Sequence, residues 1–550
     1  MRMNHLAIKK TTIKLLLLPL LLFSFVNINN DKNTIGVVAI NPPLRINDNN
    51  NNLSEEDTII SLDRISNFID DATSYLSRVC HTVTQDPTRI GKFTYTAYLD
   101  EELPTSFPND QEDYNLLRHN GAIYALVLSY NRSPSPILLD TIQSAAHWLK
   151  TVAIGPVPDM TSSDEVDLSE IIPISQKNIP NLLAAWESGV MKGGQSQLQP
   201  SAKLGGAGLA LVALVGLEKI VPNSTPLEDL LALANFIDYL QKKDGSFTCR
   251  YKPHKGGRDD SWVSLFYPGE ASLGLMYLVD LLEEGSENDM HRTRYIRVAT
   301  KALLYLEKYR RNMDLAEVEP DHWALLATSK LLPLMDTTHT DYYRIYSHAV
   351  KVITSIVAKS SRDTLVHKYK GCHTGDGETC TTSTQIEGMM AGLTFVKDDE
   401  MFLEENDVEL LRDRMVFWIQ HGADFVTKSQ YNKDNNNNNK NMFGGVPRKF
   451  PQKSHDQMEV RIDYVQHSMS GIIALEQFLL GEGVYAPEKK DTKIRKVASS
   501  MKNHITKAQD SFEETPLRYI LFLLFLLLMT LLVGMSLAST TQTTQYKKSK

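Results

Sequence analysis

"RIDYVQHSMSGIIALEQFLL", Arg461–Leu480, decides the fold. Beyond its first turn the apolar residues recur every three or four positions, the spacing of a helix that buries a stripe. Ser468, Ser470, Gly471 and Ala474 keep that helix thin, so a neighbour can approach closely. Its start is different. Arg461, Asp463, Tyr464, Gln466 and His467 crowd ionisable and hydrogen-bonding groups onto the opening of a segment otherwise suited to an interior.

Working outward, the same helical periodicity marks twelve segments: Ile59–Cys80, Asn115–Tyr130, Ile137–Val152, Lys203–Ile220, Leu227–Gln241, Gly269–Leu282, Thr293–Tyr309, Asp321–Leu334, Tyr342–Ala358, Thr382–Val396, Val408–Thr427 and Ile462–Leu480. They alternate in character. One set is rich in small residues, as in "GGAGLALVALVGL" from Gly205 and "GEASLGLMYL" from Gly269. The other carries charge and bulk, as in "YIRVATKALLYLEKYRR" from Tyr295, which suits an outer layer in water. A loose repeat of helix pairs is the signature of a ring or solenoid. Six inner and six outer helices resemble the (α/α)6 toroid of the six-hairpin glycosidase superfamily over roughly Asn115–Leu480. "LANFIDYLQKKDGSF", Leu233–Phe247, resembles the helix-then-turn segment that recurs in α/α toroids, terpenoid cyclases included. The expected class is therefore all-α, an (α/α)6 toroid with minor β additions. "KFTYTAY" from Lys92 is the best strand.

Inner helices of a toroid run the same way, so their N-termini gather at one mouth. The residues expected there are Arg118, His119, Tyr267, Glu270, Asp321, His322, Trp323, Glu387, Arg461, Asp463, Tyr464, Gln466 and His467. Capping alone explains single acids at such positions. It does not call for histidines and arginines, whose positive charge is disfavoured there, nor for aromatics. Acids, bases and rings together suit a sugar, and a buried network of arginines and carboxylates that only holds the ring is the rival explanation. Hydrolysis of a glycosidic bond needs a protonated acid and an ionised partner. Glu270 fits the acid and Asp463, two residues from Arg461, fits the partner, with Asp321 and Glu387 as substitutes for either role. An epimerase or lyase would use His119, His322, His467 or Tyr464 as base and acid. The expected function is a glycoside hydrolase or sugar epimerase acting on a glycan, the alternative being a non-catalytic glycan-binding or scaffold protein.

The remaining features set the surroundings. Residues 1–26 read as a basic and then apolar secretory signal, 27–54 as an Asn-rich linker, 55–485 as the toroid body and 486–517 as a juxtamembrane linker. Residues 518–538 read as one membrane-spanning helix, because Tyr519–Leu537 carries no charge over about 28 Å of helix. Residues 539–550 read as a cytosolic tail. Its "KKSK" resembles the dilysine signal bound by a coat-type retrieval receptor, so the body is expected in the lumen of the endoplasmic reticulum. Asn52, Asn131 and Asn223 open Asn-x-Ser/Thr glycosylation triplets, and Cys372 and Cys380 could close a local disulfide in that compartment. A net charge of −8 argues against a nucleic-acid partner. No cofactor and no metal is expected: Cys-x-x-Cys is missing, and Cys372 and His373 are adjacent without a partner at ligand spacing.

Overall fold

The computed structural model describes residues 60–84, 89–99, 114–158, 178–187, 200–363, 369–396, 405–432 and 439–485. Among the described residues there are twelve α-helices, and each overlaps one of the segments read from periodicity. They are α1 (Leu62–Val79), α2 (Leu116–Arg132), α3 (Pro136–Trp148), α4 (Leu204–Ile220), α5 (Leu227–Leu240), α6 (Tyr267–Leu281), α7 (Asp289–Arg310), α8 (His322–Leu331), α9 (Thr340–Asp363), α10 (Thr379–Leu393), α11 (Glu405–Ser429) and α12 (Ile462–Leu480).

The even-numbered helices form the inner ring. Helix α2 packs on α4, α4 on α6, α6 on α8, α8 on α10, α10 on α12, and α12 returns to α2. That last contact makes the assembly a closed toroid and not an open solenoid. The odd-numbered helices lie outside: α1 against α12, α3 against α2, α5 against α4, α7 against α6, α9 against α7 and α10, and α11 against α10. Composition explains the division. A Cβ on Gly208 would stand 2.4 Å from the Glu270 carbonyl oxygen, and one on Gly274 would stand 2.3 Å from that of Gly208. Helices α4 and α6 thus touch backbone to backbone, which only glycine permits. Outer helix α9 buries Ile345, Ala349, Val352, Ile353 and Ile356 along one stripe. Each fully buried aliphatic side chain of that kind contributes roughly 1.5–3 kcal/mol.

First turns meet first turns around the ring. Gly121 lies against the Gln466 side chain, Gly205 against Tyr267 and Glu270, and Gly269 against the Trp323–Ala324 backbone. The inner helices therefore run parallel, with their N-termini gathered at one end. Two small antiparallel sheets fix how two of them start. Strand β1 (Thr96–Tyr98) pairs with β7 (Glu459–Arg461) in the register Thr96↔Arg461, and β7 leads directly into α12. Strands β2 (Ile154–Pro158), β3 (Asn178–Glu187), β4 (Ser201–Lys203), β5 (Arg250–Lys252) and β6 (Gly257–Asp259) form one sheet in that order. Strand β4 runs straight into α4, and Lys203 at its end pairs with Glu187 of β3 at 2.5 Å. Only β1 falls inside the run expected as a strand. Strands β4 to β7 have three residues each, too few for alternation to show.

The expected signal, membrane span, cytosolic tail and Asn52 lie outside the described residues. Among those described, no helix is long and apolar enough to cross a membrane. Asn131 is exposed in the last turn of α2, and Asn223 is exposed in the turn after α4. The expected Cys372–Cys380 disulfide is not formed, and all four cysteines are free thiols. Helix α10 begins at Thr379 and takes in Cys380, while the Cys372 sulfur packs 3.2 Å from the Thr374 hydroxyl and 3.6 Å from that of Thr382.

Candidate active site

Three inner helices bring one group each to a common point at the mouth. His467 Nδ1 of α12 lies 2.7 Å from Glu387 Oε2 of α10, and His322 Nε2 of α8 lies 3.6 Å from the same oxygen. A carboxylate has only lone pairs to offer, so the hydrogen of this pair sits on His467 Nδ1. The hydroxyl of Ser470, one turn further along α12, donates to Glu387 Oε1 and to the Gln466 carbonyl. Glu387 is thus held from both sides. The two imidazoles meet edge to face with centroids 5.1 Å apart, and Trp323 stands 4.5 Å from His322 and 5.6 Å from His467. Burial, aided by His467, pushes the His322 pKa well below the usual imidazole value, so His322 is neutral. Its Nε2 has no hydrogen-bond partner. One ligand-type atom from each of His322, Glu387 and His467 lies within 4.8 Å of the others, a grouping suited to a metal ion. The sequence-based expectation of no metal looked at spacing along the chain, and Glu387 and His467 are 80 residues apart.

On the neighbouring arc, Glu270 occupies the first turn of α6 against Gly205. Burial, reinforced by the nearby Asp321 charge and opposed by Lys203, pushes its carboxyl pKa up to about 8. Its Oε2 is buried without a partner, and Tyr267 beside it packs 5.2 Å from Trp262. The third arc is a clamp. Asp463 accepts from Arg461 Nε at 2.6 Å and Nη2 at 3.0 Å, and pairs with Arg118 Nε at 2.9 Å. Arg461 lies over the Tyr464 ring at 4.4 Å, and the Tyr464 hydroxyl donates to Glu459 at 3.1 Å. Gln466 faces Gly121 and reaches 3.2 Å from His467 Nδ1.

Two expected site residues serve the framework instead. Asp321 is fully buried, pairs with Arg310 at 2.9 Å and caps α8 by accepting from the Ala324 amide at 3.0 Å. His119 turns to the outer layer. It bonds the Tyr114 hydroxyl at 2.7 Å and the Ala145 carbonyl at 3.1 Å, and burial lowers its pKa to about 3. Asp463, expected as an ionised catalytic partner, spends both oxygens on guanidinium groups. Ser470 and Lys203 were not anticipated; Ser470 three residues after His467 is the one legible signal, since such pairs share a helix face. A cleft of about 390 Å³ lined by Gln143, His147, Lys150 and Leu217 lies on the outer side of the ring and holds no carboxylate.

No protein-family model matches the chain, and no curated protein matches it. Solved structures do. A sugar epimerase from a ruminal bacterium is 10% identical with a TM-score of 0.48, over 75% of this chain and 98% of that one. A D-mannose isomerase is 10% identical with a TM-score of 0.48, over 76% and 98%. Cellobiose 2-epimerase from Spirochaeta thermophila DSM 6192 is 10% identical with a TM-score of 0.47, over 76% and 96%.

Proposed function

We propose that this chain is a carbohydrate-active enzyme that moves a proton at a sugar carbon, an epimerase or isomerase in which His322 and His467 are base and acid. The observation that carries the reading is the pair of imidazoles from different helices, 5.1 Å apart, with Glu387 orienting His467. Inverting a C–H centre requires one group to take a proton and another to return one from a different direction. Two imidazole rings on facing helices supply that geometry, and burial disfavours the charged form of His322, which suits it to the base. Trp323 offers an apolar face for the pyranose ring, and Gln466 and Arg118 offer donors for its hydroxyls.

Glycoside hydrolysis is the second reading, and one observation favours it: Glu270 remains protonated up to about pH 8, as a general acid must. Its expected partner Asp463 is neutralised by two arginines, which weakens the pairing. The reactions separate cleanly. Incubation with reducing sugars in D2O incorporates deuterium at carbon under the first reading and releases new reducing ends from a glycan under the second. Full deuterium exchange by His322→Ala and His467→Ala variants would sink the first. Glycan binding without either reaction would point to the binding or scaffold alternative.

We also propose a glycan of the secretory pathway as substrate and a lumenal, membrane-anchored setting. The uncharged stretch Tyr519–Leu537 and the exposed asparagines Asn131 and Asn223 that open the triplets support it. A glycosidase-sensitive mobility shift, lost in Asn131→Gln with Asn223→Gln, is the expected result. An unshifted, carbonate-extractable protein would contradict it.

A further inference from the structure

We propose that His322, Glu387 and His467 bind one divalent transition-metal ion, zinc by their donor set, in exchange for the hydrogen on His467 Nδ1. Two imidazoles and one carboxylate are the set that holds zinc in open sites where water takes a fourth position. The distances suit it. Ligands about 2.1 Å from a tetrahedral ion lie roughly 3.4 Å apart, and His322 Nε2 stands 3.6 Å from Glu387 Oε2, too far for a hydrogen bond. The His467–Glu387 pair at 2.7 Å is the contact that must open to admit the ion. Three further features favour a ligand at this point. His322 Nε2 is buried without a partner. The Ser470 hydroxyl fixes Glu387 through its other oxygen, so Oε2 is the one turned to the two rings. Such supporting bonds are what orient metal ligands. Finally, the donors sit on three separate rigid helices packed in one ring.

The exchange has a definite proton balance. Zinc takes the Nδ1 lone pair; the hydrogen that Nδ1 carried leaves to solvent if the ring starts as imidazolium and passes to Nε2 if it starts neutral, so Nε2 holds the remaining hydrogen. In either form His467 no longer works with Glu387 as in the metal-free site. This consequence, a metal that silences proton transfer, rests on the epimerase reading; the binding itself does not.

The test uses the full chain, stripped with a chelator and titrated with zinc chloride by calorimetry, with bound metal counted after gel filtration. Cobalt(II) gives a second readout through its visible d–d bands. One equivalent is expected in the wild type. His322→Ala and His467→Ala are expected to weaken binding at least 100-fold, and Ser470→Ala, which leaves all three ligands in place, by about 10–100-fold. Cys372→Ser and Cys380→Ser are expected to leave it unchanged. Circular dichroism melts confirm that each variant is folded. Failure to retain zinc, or retention that survives His467→Ala or follows the cysteines, overturns the site. Stoichiometric zinc with falling sugar exchange supports both claims, and exchange indifferent to bound zinc overturns the inhibitory one. Bound zinc in a protein that converts no sugar supports the metal site while the epimerase reading fails.

Discussion

At the C-terminal end of the inner helices, charge meets charge. Arg132 of α2 holds Glu476 of α12 at 2.5 Å and Asp70 of α1 at 2.7 Å, and Asp280 of α6 takes Lys330 of α8 at 2.5 Å and Lys219 of α4 at 3.9 Å. Cations there also suit the negative pole of the helix dipole. At the N-terminal end the same ring gathers imidazoles and guanidiniums, which the positive pole disfavours, and leaves Glu270 Oε2 and His322 Nε2 buried without partners. One end follows the rules of stability and the other breaks them. Stability alone gives no reason to keep His322, His467 and Glu270 together, whereas chemistry at a shared mouth does.

The sharpest way to break this contrast is to remove one group from each end. His467→Gln, whose amide can still donate to Glu387, is expected to lower sugar turnover by about 10²–10⁴-fold, the range of a lost acid or base, with little change in melting temperature. Arg132→Ala is expected to do the reverse, because Glu476 is left without its main partner. Steady-state kinetics and thermal melts on both variants decide it. Equal losses of turnover in the two would erase the distinction between the ends.

The next largest effect tests whether a mouth carboxylate can belong to the framework. Arg310 and Asp321 are both fully buried, and breaking a buried pair by removing one partner costs about 3–5 kcal/mol. Arg310→Ala is expected to lower the denaturation midpoint by a corresponding amount. A loss under about 1 kcal/mol would return Asp321 to the pool of site residues.

These contrasts bear on what the sequence could reveal. The twelve helices are legible because apolar spacing survives in every one of them. The common mouth follows from the alternation of thin and bulky helices. Which way a first-turn residue faces is a finer matter: neighbours on a helix point about 100° apart. Arg118 therefore meets Asp463 while His119, the next residue, packs under α3. The role of Asp321 depends on Arg310 at the end of an outer helix, and that of Asp463 on Arg118 of the neighbouring helix α2, which is distant only along the chain. Sequence shows the acids and hides their partners. The five-stranded sheet escapes notice because most of its strands are three residues long.

A pH series sharpens the same point at Glu270. Its carboxyl titrates near pH 8 in the folded chain against an ordinary value of 4.5. Below pH 4.5 the folded and unfolded forms are both protonated and the group makes no difference. Between 4.5 and 8 the unfolded chain releases the proton and the folded one keeps it, so wild-type stability declines across that window and the decline levels off above it. Glu270→Gln removes the titration. Its stability relative to wild type is expected to rise from pH 4.5 to 8 by up to a few kcal/mol, read from denaturant melts at four pH values. Parallel curves for the two proteins would mean that Glu270 is solvated and ionised like a surface acid, and the case for it as a proton donor would fail.

The smallest effect belongs to Asp280, and its smallness is the prediction. Asp280 lies between two lysines, but about a third of each of the Lys330 and Asp280 side chains is exposed. Water and salt screen such a pair, and exposed ion pairs contribute about 0–1 kcal/mol. Lys330 also covers the Tyr277 ring at 4.6 Å, a contact that survives loss of the carboxylate. Asp280→Asn is therefore expected to shift stability by less than about 1 kcal/mol, with the shift vanishing in 1 M salt, where the screening length falls to about 3 Å. Sugar turnover is expected to stay at the wild-type level, since the residue sits at the opposite end of the ring from His322 and His467. A salt-independent loss of several kcal/mol would show that the closed end is held by desolvated charge. Charge pairing would then be as tightly built at that end as the proton-transfer groups are at the mouth, and the two ends would differ in chemistry but not in rigidity.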